Sequence, residues 1–172
     1  MKARVLAVLC LSMVVVMAGC SDSGLEGERY EGEGYSLIVP EGWASEQGTY
    51  GEFWVGRPSE GEGDDFIENV NLMIESIPSG MNEARYLDLS KQNMSEIPGF
   101  EMREEEAVSI NGVDGMRLHY QANVYGQSID NDAYILMEDS QAYMPTLTAR
   151  EGDSRDRWMP KLTEVAQTFR LE

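Results

Sequence analysis

His119 is the only histidine in the 172-residue chain, so it is the first candidate for acid–base chemistry. A serine or cysteine nucleophile needs a base beside it, and imidazole is the side chain that most often serves. The sequence places His119 on the polar side of a predicted strand, between Arg117 and Gln121, and no pattern selects a nucleophile for it. We therefore predict an ordinary strand histidine, no catalytic residues, and a protein that is not an enzyme.

Acidic segments are the second candidate, because carboxylates are the ligands that calcium prefers. Asp64 and Asp65 lie in one such segment, and Asp130 and Asp132 lie in another. Neither has the alternating ligands, central glycine and closing glutamate of a calcium-binding loop. Zinc fits less well, since the chain after Cys20 has no cysteine and a single histidine. We expect no metal and no non-covalent cofactor, with these four aspartates as weak calcium candidates.

A different chemistry is predicted at Cys20, which follows two small residues and an apolar segment. Two basic residues precede the apolar run of residues 5–17, which is the layout of a secretory signal. The apolar run is too short to span a bilayer comfortably. Residues 17–20, Met-Ala-Gly-Cys, resemble the bacterial lipobox, whose cysteine receives a diacylglyceryl group before cleavage. We predict a signal peptide over residues 1–19 and covalent diacylglycerol and acyl chains on Cys20. An ordinary signal peptide with an incidental cysteine is the alternative.

Two or three acyl chains give stable attachment to a lipid membrane. The predicted location is the cell envelope, either on the outer face of the cytoplasmic membrane or in the outer membrane facing the periplasm. Residues 21–34 mix glycine with acids, and only Leu25 and Tyr30 among them are bulky and apolar. We therefore predict that residues 20–34 form a lipidated, flexible acidic linker before a folded domain over residues 35–172.

The charge of the chain is strongly one-sided, with 31 acidic and 13 basic residues and a formal net charge of −18. Removing residues 1–19, which hold two bases and no acid, makes it −20. Such a surface repels phosphate groups, which excludes nucleic acid as a partner. The charge indicates either a basic partner or bound cations, or a solvated surface suited to a salty medium.

Hydrophobic periodicity predicts an α+β fold, with an antiparallel β-sheet of about six strands covered by helices. The opening strand, in residues 35–43, stops at Pro40 and turns at Gly42, which presents Trp43 beside the sheet. The other predicted strands cover residues 53–56, 69–77, 101–110, 115–125, 128–137 and 142–149, and a first helix covers residues 82–97.

Two prolines refine this prediction. Pro145 lies in the last predicted strand and indicates an edge or bulge position, because proline cannot donate to a sheet ladder. Pro160 lies in the last predicted helix, which begins near Asp156, and we expect it in the first turn.

Four aromatic residues, Trp43, Tyr50, Phe53 and Trp54, fall within a dozen positions. Tryptophan and tyrosine are enriched at protein interfaces, so these residues are a candidate partner-binding surface. Packing in the core or at its rim is the alternative.

Residues 35–43 (YSLIVPEGW), 69–71 (NVN), 110–112 (ING) and a closing helix that ends in Phe169 resemble PsbP-like and DcrB-type domains. The resemblance covers nearly all of residues 35–170. It implies an α/β/α sandwich, a central antiparallel sheet with helices on both faces. It also implies an accessory role, since some members support the oxygen-evolving side of photosystem II and others are bacterial lipoproteins. It brings no shared enzymatic residues.

These observations favour a membrane-anchored lipoprotein that acts as a non-catalytic binding or accessory module for an envelope protein or complex. The alternative is a cell-envelope hydrolase, or a carrier of small ligands or cations, that uses an unrecognised pocket. The sequence leaves the oligomeric state open.

Overall fold

The computed structural model describes residues 24–48 and 51–172. The predicted signal peptide, Cys20 and Tyr50 lie outside the described residues. The strands are β1 (Gly27–Glu31), β2 (Tyr35–Pro40), β3 (Ala44–Gln47), β4 (Phe53–Gly56), β5 (Asn69–Ser76), β6 (Glu101–Ile110), β7 (Val113–Val124), β8 (Gln127–Glu138), β9 (Gln141–Arg150) and β10 (Arg170–Leu171). The helices are α1 (Glu83–Met94) and α2 (Asp153–Gln167).

The predicted α+β class is confirmed, and the described strands form two antiparallel sheets. The larger sheet has seven strands in the order β3-β4-β5-β9-β8-β7-β6. The smaller has three strands in the order β1-β2-β10. The predicted strand ranges account for seven of the ten described strands and missed β1, β3 and β10. Two of these are too short and polar, and one too glycine-rich and acidic, to show apolar alternation.

The two helices cover opposite faces of the large sheet, as the sandwich prediction requires. Alternate residues of β8 show this, because Tyr134 and Leu136 pack with the apolar side of α2 whereas Ile135 packs with Tyr86 of α1. Apolar side chains of β2 and β4 join the α2 side and make it the larger core. The two-residue strand β10, just after α2, ties the chain end to β2.

The opening strand ends as predicted. The backbone N–H of Trp43 donates to the carbonyl oxygen of Pro40 at 3.1 Å, and Gly42 takes a φ of 79°, which favours glycine. This tight turn carries the chain from the small sheet to the edge strand of the large one.

The predicted flexible linker is wrong for residues 27–31, which form β1 and pair with β2 from Gly27↔Pro40 to Glu31↔Ser36. Tyr30 supplies the packing, since its ring stacks on Phe53 with centroids 3.8 Å apart. Leu25 also packs against the larger core. Backbone pairing with a buried neighbour and one well-placed ring therefore offset the entropy of ordering this acidic segment.

The predictions for both prolines are wrong. Pro145 lies in β9, a central strand between β5 and β8. The β8–β9 ladder keeps one register but skips the positions between Ala133↔Thr146 and Leu136↔Tyr143, so the sheet accommodates the missing N–H without a bulge. Helix α2 begins earlier than predicted, which places Pro160 inside it and not in its first turn.

Candidate functional site

A surface groove lies where β1 and the β2–β3 turn meet, and we call it the β1–β3 groove. Its volume is about 770 Å³. Four consecutive residues of β1 line it, so its wall includes strand backbone as well as side chains. The lining residues are Gly27, Glu28, Arg29, Tyr30, Val39, Pro40, Glu41, Gly42, Trp43 and Ser45.

Trp43 is the largest apolar side chain in the groove, and it is held in place from behind. Its ring meets Trp158 of α2 edge-on, with centroids 6.1 Å apart, which is a favoured aromatic geometry. The Trp158 ring is in turn contacted by three cationic groups, those of Arg57, Arg157 and Lys161, at 5.1, 4.9 and 4.9 Å. Trp43 is thus a half-buried, positioned ring at the surface.

The charge around the groove is acidic and uncompensated. Two exposed glutamates, Glu28 and Glu41, line it directly. The one base that lines the groove, Arg29, donates to the hydroxyl of Ser36 at 2.9 Å. Within residues 24–48 and 51–172, no salt bridge involves any of the four exposed glutamates that line the groove or adjoin its lining residues, which are Glu26, Glu28, Glu41 and Glu46.

Two strands with one free edge each run beside the groove. In the described part of the chain, β1 pairs only with β2, and β3 pairs only with β4. The side-chain amide of Gln47 donates to the Tyr30 hydroxyl and links these two edges. Unpaired strand edges present backbone donors and acceptors to an added extended segment.

Of the four predicted aromatic residues, the three that the structure describes, Trp43, Phe53 and Trp54, do not form one surface. Trp43 lines the groove, but Phe53 is buried in the core against Tyr30. Trp54 points to the opposite face of β4, where its ring covers Gly56 so closely that no side chain would fit there. Sequence proximity grouped these residues, whereas the period of two along β4 separates them.

His119 lies on the α2 side of the sheet, in a set of charged side chains on β6, β7 and β8. Its Nε2 is 3.1 Å from a carboxylate oxygen of Asp130, and Arg155 of α2 is 3.6 Å from the other oxygen. Arg117 is 2.9 Å from buried Asp132 and 3.3 Å from both Glu104 and Glu106. His119 therefore has a carboxylate partner, and no hydrogen bond to a serine is found among the described residues.

These charges compensate one another. Burial alone would lower the pKa of Arg117, but the nearby charge of Asp132 and the other acidic groups raises it. The same strand pairing that places Arg117 beside Asp132 makes this part of the sheet a set of ion pairs.

Each of the four calcium candidates has a cationic partner. Asp64 accepts two hydrogen bonds from the Arg57 guanidinium, at 2.6 and 2.9 Å, and this pairing holds its pKa well below the usual range. Asp65 is 2.6 Å from Arg150, which likewise lowers the pKa of Asp65. Asp130 and Asp132 have the partners described above. Among residues 24–48 and 51–172, no three histidine, cysteine or acidic side chains converge as a metal site would require.

One buried ion network was not predicted. Arg57 and Glu68, with 4% and 1% exposure, form an ion pair, and Ser154 at the start of α2 donates to the same glutamate. Together with Asp64, this network fastens residues 57–68 to α2. The sequence of this loop is rich in glycine and charged residues, which does not indicate burial. The one sequence signal for the buried network is an arginine placed directly after a strand.

No protein-family profile matches the chain, and no curated protein is similar to it in sequence. Solved structures are similar in fold. The cyanobacterial PsbP (CyanoP) of Synechocystis sp. PCC 6803 superimposes with a TM-score of 0.65 at 20% identity, over 91% of this chain and 99% of that one.

Two bacterial proteins superimpose as well. PA94 of Pseudomonas aeruginosa, described as a putative regulator of unknown function, has a TM-score of 0.60 at 17% identity, over 82% of this chain and 94% of its own. LpqN of Mycobacterium tuberculosis, described as involved in cell envelope biogenesis, has a TM-score of 0.58 at 14% identity, over 83% of this chain and 82% of its own. In the described residues, no helix is long and apolar enough to cross a bilayer. The chain has an antiparallel sheet with one helix on each face, and it superimposes on these structures. It therefore has a PsbP-like fold.

Proposed function

We propose that the protein is a lipid-anchored accessory module of the cell envelope that binds another envelope protein through the β1–β3 groove and catalyses no reaction. Cys20 carries the lipid, and the folded domain presents the groove. The resemblance of the fold to LpqN, a protein described as involved in cell envelope biogenesis, supports the envelope location.

The observation that carries the proposal is that one groove combines a fixed aromatic ring with carboxylates that have no salt bridge among the described residues. Trp43 is fixed by Trp158, so binding against it costs little side-chain entropy. Glu28 and Glu41 have no cationic partner among the described residues, so they attract one from another molecule. The class of partner that fits is a protein segment with basic and apolar side chains.

Crosslinking from two positions tests this function. The mature chain carries no cysteine besides Cys20, so Ser45→Cys in the groove and Glu138→Cys at the end of β8 each create one thiol for a photoactivatable crosslinker. We expect a protein adduct from Ser45→Cys in native membranes and none from Glu138→Cys. The adduct should weaken with rising salt, because screening reduces attraction between exposed charges.

The matched control is Trp43→Ala against Trp54→Ala, which remove the same side chain from the groove and from the opposite sheet face. Only the first should abolish the adduct. An equal adduct from both thiols, or loss of the adduct in Trp54→Ala alone, would contradict binding at the groove. Membrane fractionation of a form without Cys20, in which a cleavable secretory signal is joined to Ser21, tests the anchor separately, and this form should leave the membrane.

A further inference from the structure

The tether between the lipid and the folded domain is much shorter than the acidic composition of residues 21–34 predicts. Leu25 already packs against the core, and β1 begins at Gly27. Four residues, 21–24, separate Cys20 from Leu25. Over the five residue steps from Cys20 to Leu25, random-coil statistics correspond to about 12 Å and full extension sets an upper bound of about 18 Å.

The groove begins at the end of the β1–β2 ladder where this tether attaches and runs along β1 as far as Tyr30. Gly27, two positions after Leu25, lines the groove together with its ladder partner Pro40. The five-residue ladder of β1 and β2 runs away from that end for about 16 Å. At its other end, Gly34 lies with Glu138 around a separate surface depression. The mean tether length is therefore shorter than the ladder that separates the two ends.

The carboxylates around the groove affect how closely this part of the domain approaches the bilayer. The glutamates around the groove carry no salt bridge in the described structure, so anionic headgroups repel them. The Debye length is about 8 Å at physiological salt, so a gap of 12 to 18 Å leaves this repulsion largely screened. The groove can thus face the membrane without resting on it, and a basic segment in that gap meets unpaired carboxylates.

We propose that the β1–β3 groove faces the bilayer that holds the Cys20 lipid, and that its occupant is a basic, extended segment of a protein embedded in the same bilayer. This inference rests on the proposed function, since it needs both the anchor and binding at the groove. It adds the orientation of the domain and the place from which the partner approaches.

The first test measures height above the membrane. The lipidated protein is placed in phosphatidylcholine vesicles that contain an acceptor-labelled lipid, with a donor dye on Ser45→Cys or Glu138→Cys. We expect clearly stronger energy transfer from Ser45→Cys. Inserting twenty Gly-Ser residues between Ser23 and Gly24 should remove the difference, because the longer chain no longer restricts orientation.

Equal transfer from the two native-tether proteins, or stronger transfer from Glu138→Cys, would overturn the orientation. Absence of both labelled proteins from the vesicle fraction would instead refute the anchor, which belongs to the proposed function.

The second test asks from where the occupant approaches. An octapeptide of alternating lysine and valine is carried on an acyl chain in the same vesicles, either directly or on a thirty-residue polyproline spacer of about 90 Å. We expect the anchored protein to bind the bilayer-adjacent peptide at least tenfold better than the raised one. The soluble form that begins at Ser21 should bind both equally.

Equal binding of the two peptides by the anchored protein, or preference for the raised one, would overturn the inference while leaving groove binding intact. Failure of the soluble variant to bind either peptide would refute the groove as a site for basic segments, and with it the proposed function. Using neutral lipid prevents the lysines from binding headgroups, which would otherwise mimic a preference for the bilayer-adjacent peptide.

Discussion

The β1–β3 groove and the charged face of β6, β7 and β8 hold acidic side chains in opposite ways. On the charged face, buried Asp130 and Asp132 contact His119, Arg155 and Arg117. Around the groove, the exposed Glu26, Glu28, Glu41 and Glu46 have no salt bridge in the described structure, and the one arginine that lines it donates to a serine. The charged face pairs its acidic side chains within the domain, whereas the carboxylates around the groove are available to pair with a second molecule. The net charge of −18 conceals this difference, because it counts both regions alike.

The same contrast applies to the tryptophans. Trp158 is 6% exposed and contacts three cationic side chains, so it belongs to the packing between α2 and the rest of the domain. Trp43 contacts Trp158 in a T-shaped arrangement and also lines the groove. Rigid support behind an accessible ring is what distinguishes an interface anchor from a core residue.

The largest expected effect is on stability, and it belongs to the charged face. Asp132→Ala removes the buried partner of Arg117, which keeps only the more distant Glu104 and Glu106. Breaking a fully buried ion pair costs about 3 to 5 kcal/mol, and the partial exposure of Arg117 reduces this to about 2 kcal/mol. Urea unfolding measures the loss. The matched change in the other region, Glu46→Ala, should cost less than about 0.5 kcal/mol, and equal losses would erase the distinction between the regions.

The next effect is on binding, and it belongs to the groove. The double change Glu28→Gln and Glu41→Gln removes two unpaired charges, each worth about 0.7 kcal/mol to a basic ligand, so affinity for the lysine–valine octapeptide should fall about tenfold. Fluorescence titration measures it. The control, Glu104→Gln with Glu106→Gln, changes the net charge by the same amount on the paired face. Similar losses in both double variants would show that overall charge, and not the groove, attracts the peptide.

The loss of folding stability at low pH should depend on the carboxylates that are paired with arginines. Arg57 holds the pKa of Asp64 below its usual range, and Arg150 does the same for Asp65. The unfolded state therefore binds more protons than the folded state below about pH 4, so stability is present above that pH and is lost as the pH falls toward the folded pKa values. Asp64→Asn with Asp65→Asn should flatten this fall in thermal unfolding from pH 5 to pH 2. Ser59→Ala, a change in the same loop that removes no carboxylate, should leave the fall unchanged.

The fold was largely predictable from the sequence, because apolar alternation along β2, β5 and β7 and the stripe on α2 report burial directly. The groove was not. Its wall, β1, reads as a flexible acidic segment, and its order comes from pairing with the neighbouring strand β2 and from the stacking of Tyr30 on Phe53, a residue from a later strand. The turn through Gly42 correctly marked Trp43 as a presented residue. Successive side chains of β4 point to opposite faces of the sheet, so Phe53 and Trp54 do not share a surface with Trp43.

The smallest expected effect concerns His119. Its ring contacts Asp130, and Arg155 also approaches that carboxylate, so His119→Asn leaves Asp130 with a cationic neighbour and a hydrogen-bond donor. We expect a change in unfolding free energy within about 1 kcal/mol and no change in peptide binding or in the Ser45→Cys adduct. Loss of an activity, or of the adduct, in a variant that unfolds normally would move the functional site to the charged face. It would also revive the alternative of a hydrolase built on the His119–Asp130 pair.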